Sequence, residues 1–397
     1  MNILSDRILS LEESQTIAMT RKSRELIDAG VDVISLSLGE PDFSTPDFIK
    51  AAAKEAIDNN FSHYTPVQGL VSLREAISKK FYRDNNLNYK IDEIVASTGA
   101  KQSLAQLMLA LVNPGDEVIV PAPYWVSYIQ MVKMAEGIPV VIQASVESDF
   151  KVNAAQVEDV ISKKTKAFLF STPCNPTGSV YNREELSLLV DVFEKYPEII
   201  IISDEIYEHI NFSEEHVSIG QFNSIKDRVV TVNGVSKGFA MTGWRVGYLG
   251  APKWLASACT KMQGQTTSAT CSIAQKATEA AVKEDPICTY EMRAAFLRRR
   301  DLMILKLREI KGIKLSVPQG AFYIFPDISY YFGKSFNDTK IHNAGDFCTY
   351  LLNVANVATV TGDAFGSPNC IRISYAAADE KLVDAMSRIK MALEQLS

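Results

Sequence analysis

Four short stretches of this sequence combine the residue types and spacing that chemistry needs. The most suggestive is Ser236-Lys237-Gly238, after the apolar run RVVTVN (228–233), with Arg245 eight residues on. A lysine between small residues at the end of a buried strand presents its amine to whatever lies beyond. Such an amine becomes nucleophilic when desolvation or a neighbouring cation lowers its pKa, and Arg245 can be that cation or can hold an anion. Ser203-Asp204-Glu205-Ile206-Tyr207 ends a second run, EIIIIS (198–203). A buried carboxylate is costly unless paired, so Asp204 calls for a structural ion pair or the protonated ring nitrogen of a cofactor. Thr172-Pro173-Cys174-Asn175-Pro176-Thr177-Gly178 follows KAFLF (166–170). Two prolines and a glycine make a stiff turn, either a plain connection or one that fixes Asn175 as a donor over a ligand. Ser97-Thr98-Gly99-Ala100-Lys101-Gln102 precedes an amphipathic stretch, and the free N–H groups of a helix N-terminus suit a phosphate.

Competing signatures are weak or absent. There is no G-x-G-x-x-G and no G-x-x-x-x-G-K-[ST], which disfavours dinucleotide and nucleoside-triphosphate enzymes. Gly234-Val235-Ser236-Lys237-Gly238 does match G-x-S-x-G, the nucleophile elbow of α/β-hydrolases. That elbow must open a helix, and the continuation GFAMTGWRVGYLG is too glycine-rich for one. Only His342 of the four histidines lies downstream, as the hydrolase order requires. A hydrolase using Ser236 is therefore the remote alternative. Without H-E-x-x-H and with so few histidines, no metal site is expected.

The elements that must position these residues alternate. DEVIV (116–120), IPVVIQ (138–143), KAFLF, EIIIIS and RVVTVN read as buried parallel strands. Between them lie helical patterns. Thr45-Pro46-Asp47 reads as a hydroxyl N-cap, a proline at the first position and an acid in the first turn. Phe48, Ile49, Ala52, Ala53, Ala56 and Ile57 then share a face; Leu70, Leu73, Ile77 and Phe81 make a second, and Leu104, Leu107, Met108 and Leu111 a third. This alternation predicts an α/β fold with a mostly parallel central sheet and ligands at the carboxyl ends of its strands. The last third reads as α+β: a helical region interrupted near Pro286, then GAFY, a helix from Gly345 to Ala355, NVATVTG, CIRISYA and a final helix. The expected division is an N-terminal segment 1–45 that joins a smaller α+β domain 284–397, with a large domain 46–283 between them.

Composition agrees with a large globular enzyme. The chain has 397 residues, 47% hydrophobic and 22% charged, enough for a substantial core. With 41 basic and 47 acidic residues the net charge is −6, which argues against nucleic acid or a membrane surface as partner. Six cysteines without a C-x-x-C pair suggest buried or incidental thiols in a reducing compartment. No signal peptide and no apolar run long enough to span a bilayer are evident, so a cytoplasmic location is expected.

Taken together, these stretches resemble the fold-type I, pyridoxal-phosphate-dependent class I aminotransferases, and within them the bacterial aspartate aminotransferases of the Thermus-like branch. The resemblance runs from about residue 12 to 377 through SLGEPDFSTP, YTPVQGLVSLREAI, VPAPYWVSY, NPTGSVY, SDEIYEH, NGVSKGFAMTGWRVGY, GAFY and IRISYA, in family order. It implies pyridoxal 5'-phosphate as cofactor and the large domain as its binding domain. Lys237 then resembles the Schiff-base lysine and proton shuttle, and Asp204 the partner of the pyridine nitrogen. Asn175 and Tyr207 resemble donors to the ring oxygen, and Trp125 the ring's stacking partner. Gly99, Ala100, Ser236 and Arg245 resemble the phosphate site, with Lys101 beside it. Tyr64 resembles the tyrosine that reaches the phosphate of another subunit, which implies a homodimer.

The same resemblance implies small amino acids and 2-oxo acids as substrates. Arg372 is similar to the arginine that grips the substrate α-carboxylate in bidentate geometry, with Gly39 as a backbone contact. Lys101 aligns with the lysine for the distal carboxylate, and Ser14 and Thr16 with supporting hydroxyls on a segment that closes over the substrate. Trp125 and Asn175 face substrate as well as cofactor. The implied activity is reversible ping-pong transfer between aspartate and 2-oxoglutarate; prephenate or aromatic aminotransferases of the same fold are the alternative. Cys174 and Val67-Gln68 depart from some relatives.

Overall fold

A computed structural model describes residues 3–397 apart from Ser14, Glu214 and Asp338. Fourteen strands organise the described residues. β1 (Ile34–Ser35) comes first. The central sheet holds β2 (Ile94–Ser97), β3 (Glu117–Ala122), β4 (Ile138–Gln143), β5 (Thr165–Ser171), β6 (Ile200–Asp204), β7 (Val229–Gly234) and β8 (Gly247–Gly250). The last third adds β9 (Tyr323–Ile324), β10 (Ser335–Phe336), β11 (Thr339–Lys340), β12 (Val357–Ala358), β13 (Val360–Thr361) and β14 (Ile371–Ser374).

The central sheet runs in the order β2-β8-β7-β6-β5-β3-β4. β4, β3, β5, β6 and β7 are parallel; β8 is antiparallel to both of its neighbours. The five runs read as strands all become strands, with ends shifted by no more than two residues. In β3, β5, β6 and β7 both faces are largely buried, whereas β4, at the sheet edge, is half-exposed. Ile200 and Ile202 pack with Leu169, Val230 and Leu249 on one side. Ile201 points the other way, to Phe168, Leu186 and Phe193. That period of two in an unbroken apolar run is the mark of a sheet covered on both sides.

One helix start departs from expectation. The helix is Asp47–Asp58, Pro46 takes the cap position, and no side chain caps it. The Thr45 hydroxyl instead donates to the carbonyl of Ala240 at 2.7 Å and accepts from Trp244 Nε1 at 3.0 Å. A longer-range pair of bonds has taken the group a local cap would use. Of the face assigned to this helix, Ile49, Ala53 and Ala56 are buried, while Phe48 and Ile57 are exposed. The other two faces turn inward as expected, with Leu73, Ile77 and Phe81, then Leu104, Leu107, Met108 and Leu111, all buried and Leu70 partly so.

A second core gathers both ends of the chain. Ile34 and Leu36 pack with Met303, Leu307, Phe322, Phe347, Ile373 and Leu382. β1 pairs in parallel with β12, and β14 lies between β13 and β9. β10 and β11 form a hairpin. Cys259, Cys348 and Cys370 are buried, Cys174 is half-buried, Cys271 and Cys288 are exposed, and all six are free thiols. Among the described residues no helix is long and apolar enough to cross a membrane.

The turn after β6 is held from behind by buried charge. Glu208 forms an ion pair with Lys80, which is 0% exposed, and accepts from Asn85 Nδ2 at 2.6 Å. Burial alone would raise the Glu208 pKa, but Lys80 and the nearby His209 and His216 outweigh it and bring it to about 2. Glu205 accepts from Ser203 and Ser218 hydroxyls at 2.9 and 2.7 Å and lies 2.9 Å from His216 Nε2. Removing one partner of such a pair strands the other charge. Lys80→Met is expected to cost about 3–5 kcal/mol of stability, read as a lower midpoint in denaturant unfolding; an unchanged midpoint would show that Glu208 is satisfied without Lys80.

Candidate active site

The carboxyl ends of the parallel strands meet at one cavity of about 330 Å³. β5 leads through Ser171 to Asn175, β6 ends in Asp204 and turns to Tyr207, and β7 leads to Ser236 and Lys237. β2 runs the same way as β7 and delivers Gly99, Ala100 and Lys101. β8 runs the opposite way, so Arg245, just before it, arrives at the same edge. β3 leads to Trp125. Arg372, on β14, and Gly39 come from the second core, and Thr16 and Ile17 from the helix Gln15–Asp28. The cavity is therefore a seam between two packing units, closed by segments from both ends of the chain.

Burial sets the electrostatics. Lys237 is half-buried, its Nζ donating to the carbonyl of Gly39 at 2.6 Å and lying 5.9 Å from the centre of the Tyr207 ring. Desolvation pulls its pKa down to about 8. Asp204, 4% exposed, accepts from the Tyr128 hydroxyl at 2.7 Å and from the amide of Ile206 at 3.3 Å. Desolvation raises its pKa to about 6 in spite of both donors. Tyr207 pairs its hydroxyl with that of Tyr323 at 2.9 Å. Lys101 Nζ sits 5.0 Å over the Trp125 ring, and its pKa is lowered, first by desolvation and then by Arg245.

Arg372 is 2% exposed and stacks between the rings of Tyr323 and Phe365 at 4.6 and 5.0 Å. It donates to Asn175 Oδ1 at 3.1 Å and to the carbonyl of Ser37 at 2.7 Å. Because Asn175 turns its oxygen to Arg372, its Nδ2 remains available as a donor. Nε of Arg372 is buried without a partner, as are the hydroxyls of Thr16 and Ser171. Buried polar groups are nearly always satisfied, so orphans lining one cavity mark places where a polar ligand would bond.

The residues around this cavity suit pyridoxal phosphate. Gly99 has a φ of +83° at the start of the helix Ala100–Leu111. A Cβ on Gly99 would collide with the Arg245 guanidinium, and one on Gly247 with the amide of Ala100. The two glycines therefore leave backbone amides, the Ser236 hydroxyl and Arg245 close together, a cradle for a phosphate. The amine of Lys237, the carboxyl of Asp204 and the face of Trp125 stand around the rest of the cavity, matching an aldehyde, a ring nitrogen and a flat ring.

Of the residues expected from sequence, the structure lines this cavity with Thr16, Gly39, Ala100, Lys101, Trp125, Asn175, Asp204, Tyr207, Ser236, Lys237, Arg245 and Arg372. Gly99 is buried beside Arg245, one residue behind the lining. Tyr64 is not brought in; it is 97% exposed. Ser14 lies outside the described residues. Sequence reasoning gave no role to Tyr128, Tyr323, Ser171 and Thr242, which also line the cavity. Tyr128 follows Trp125 by one helical turn within VPAPYWVSY, and Tyr323 closes GAFY; those were the available signals.

A family model for aminotransferase class I and II matches residues 31–389. An aspartate/prephenate aminotransferase of Cereibacter sphaeroides is 47% identical, covering 100% of both chains. A bifunctional aspartate aminotransferase and glutamate/aspartate-prephenate aminotransferase of Petunia hybrida is 45% identical, over 98% of this chain and 82% of the relative. Among solved structures, the aspartate aminotransferase of Rhizobium meliloti superposes with a TM-score of 0.97 at 40% identity, covering 100% of both chains. That of Thermus thermophilus with maleate gives 0.93 at 38% identity, covering 99% of this chain and 100% of the other.

The depressed pKa of Lys237 gives a direct test on cofactor-free protein. Acylation of its amine should rise with pH through a midpoint near 8, because the neutral form is the nucleophile. Peptide mapping across pH would read it. A midpoint at the ordinary lysine value of 10.5 would contradict the desolvation.

Proposed function

This chain belongs to the aminotransferase class I and II family, and on that premise we propose that it exchanges amino groups between aspartate and 2-oxoglutarate by a ping-pong route, with pyridoxal 5'-phosphate as cofactor. The observation that carries the reading is one cavity in which Lys101, Lys237, Arg245 and Arg372 surround the buried carboxyl of Asp204. Four cations suit a phosphate and two carboxylates, and the Lys237 amine, its pKa lowered to about 8, suits a carbonyl.

The cofactor, when bound, supplies an imine-forming carbonyl and a protonated ring that accepts the electron pair left by the substrate's α-proton. Lys237 Nζ would hold it, and once free that amine would take the substrate's α-proton and later give it back. Asp204 is ionised above about pH 6 and holds the proton on the ring nitrogen. Asn175 Nδ2 and the Tyr207 hydroxyl would donate to the ring oxygen, and Trp125 would pack on the ring face. The amides of Gly99 and Ala100, Ser236 and Arg245 would hold the phosphate. Tyr64, exposed on one chain, reaches the phosphate of a second copy in a homodimer; the enzyme works in the cytoplasm.

Arg372 grips the α-carboxylate, its orphan Nε becoming paired, with Gly39 alongside. Lys101 takes the distal carboxylate, and Thr16 lies near the side chain. The maleate of the Thermus neighbour is itself a dicarboxylate. Prephenate also carries two carboxylates, and the Cereibacter and Petunia relatives bear its name, so it is the second amino acceptor to assay; aromatic acids come after it.

Purified protein should be yellow with pyridoxal phosphate and bleach on adding aspartate. Lys237→Ala should abolish both the colour and the transfer to 2-oxoglutarate, and full activity in that variant would overturn the assignment. Lys101→Met should lower kcat/KM for aspartate roughly ten- to a hundredfold, the worth of a hydrogen bond to a charged group, and change that for alanine little. An equal loss for both donors would remove Lys101 from the distal carboxylate.

A further inference from the structure

Tyr128 lines the cavity, yet the reading above gives it nothing to do. It lies on the helix Ser127–Met134 and is 1% exposed. Its hydroxyl donates to Asp204 Oδ2 at 2.7 Å. Its ring meets that of Trp125 edge-on, with centroids 5.5 Å apart and planes at 85°. We propose that Tyr128 is a positioning residue for the transfer reaction. Its hydroxyl keeps Asp204 ionised and aimed, and its ring fixes Trp125, so that one helical turn sets both the acid at the ring nitrogen and the face that packs on the ring. The inference rests on the cavity being a pyridoxal phosphate site.

Three observations support it. Asp204 has few donors: the other is the amide of Ile206, at a longer 3.3 Å. The other charged and titratable groups that act on Asp204 are Glu205, the next residue, whose carboxylate turns to His216, Lys237 after β7, Tyr207 on the following turn and Cys174 on the turn after β5. Glu205 opposes ionisation, and Lys237 favours it less than Tyr128 does. Tyr128 is also a dependable donor. Burial, and then the charge of Asp204, push its pKa well above 10, so it keeps its proton wherever the enzyme works.

The sign of the effect follows. Without the hydroxyl, burial of Asp204 is less compensated, and its carboxyl holds a proton to higher pH. A protonated Asp204 cannot pair with a protonated ring. Cofactor binding should weaken, and the acid limb of its pH dependence should move to higher pH. Tyr128→Phe removes one atom and keeps the ring against Trp125, so packing alone would move neither.

The test measures pyridoxal phosphate dissociation constants, by absorbance titration from acid to neutral pH, for wild type, Tyr128→Phe, Asp204→Asn and the double variant. The melting temperature of each cofactor-free protein accompanies them to establish folding. Tyr128→Phe should bind roughly ten- to a hundredfold more weakly at neutral pH, the range for a hydrogen bond to a charged group, with its acid limb displaced upward. In the Asp204→Asn background the same change should cost little more, because the group it acts through is gone. A Tyr128→Phe protein that binds and titrates like wild type would overturn the proposal. So would an equal loss in both backgrounds, which would show that the hydroxyl acts through a group other than Asp204. Wild-type protein that takes up no pyridoxal phosphate would overturn the reading of the cavity, and this inference with it, a result distinct from either of the others.

Discussion

The site depends on charge kept dry. Asp204 ends a strand whose isoleucines are buried on both faces, and desolvation raises its pKa toward 6. Lys237 stands beyond the end of the neighbouring strand, β7, with a pKa brought down to about 8. In water an acid and an amine differ far more in proton affinity. The shared seam draws them together until both lie near neutrality, where small changes in a neighbour decide which form is present. Water admitted to this seam would return each group to its ordinary value. The close packing of two cores around the cavity is thus an electrostatic requirement as much as a mechanical one.

The turn after β6 serves two environments by direction alone. Asp204 and Tyr207 face the cavity, whereas Glu205 and Glu208 face away, to His216 and Lys80. Four functional groups within five residues are thereby kept from competing for the same partners. The buried ion pairs behind the turn do not act on a ligand. They hold the backbone from which the cavity's acid and tyrosine project, and the hydroxyl pair between Tyr207 and Tyr323 ties that turn to the second core.

β3, β5, β6 and β7 were legible because each is a largely apolar run buried on both sides, a pattern few other elements share, and β4, at the edge, by its apolar run alone. β2 and β8 were not. Gly-Tyr-Leu-Gly offers neither a run nor an alternation, and it becomes a strand because its glycines let β7 and the amide of Ala100 approach. β1, β9, β12 and β13 have two residues each, too short for any period to register. Thr45 misled for a related reason: its capping signature is local, and its partners, Ala240 and Trp244, are distant in sequence. The residues that line the cavity were legible as a set, since their types recur in a fixed order along the chain. The hydroxyl of Tyr128 against Asp204 was not, because that contact exists only after a helix from one strand-end meets the tip of another.

β1 and β12 pair directly, so Ile34 has no strand partner until Val357 has been made. On a ribosome adding roughly 5–20 residues each second, the central sheet can be complete while Leu36 and its neighbours still wait for the last third of the chain. Gly39 waits with them, and Arg372 comes later still. The nascent chain can therefore carry Lys237, Ala100 and Arg245 for some time before it owns Arg372, which faces them across the cavity. Assembly order itself leaves the cavity without one of its walls until the last third of the chain is made.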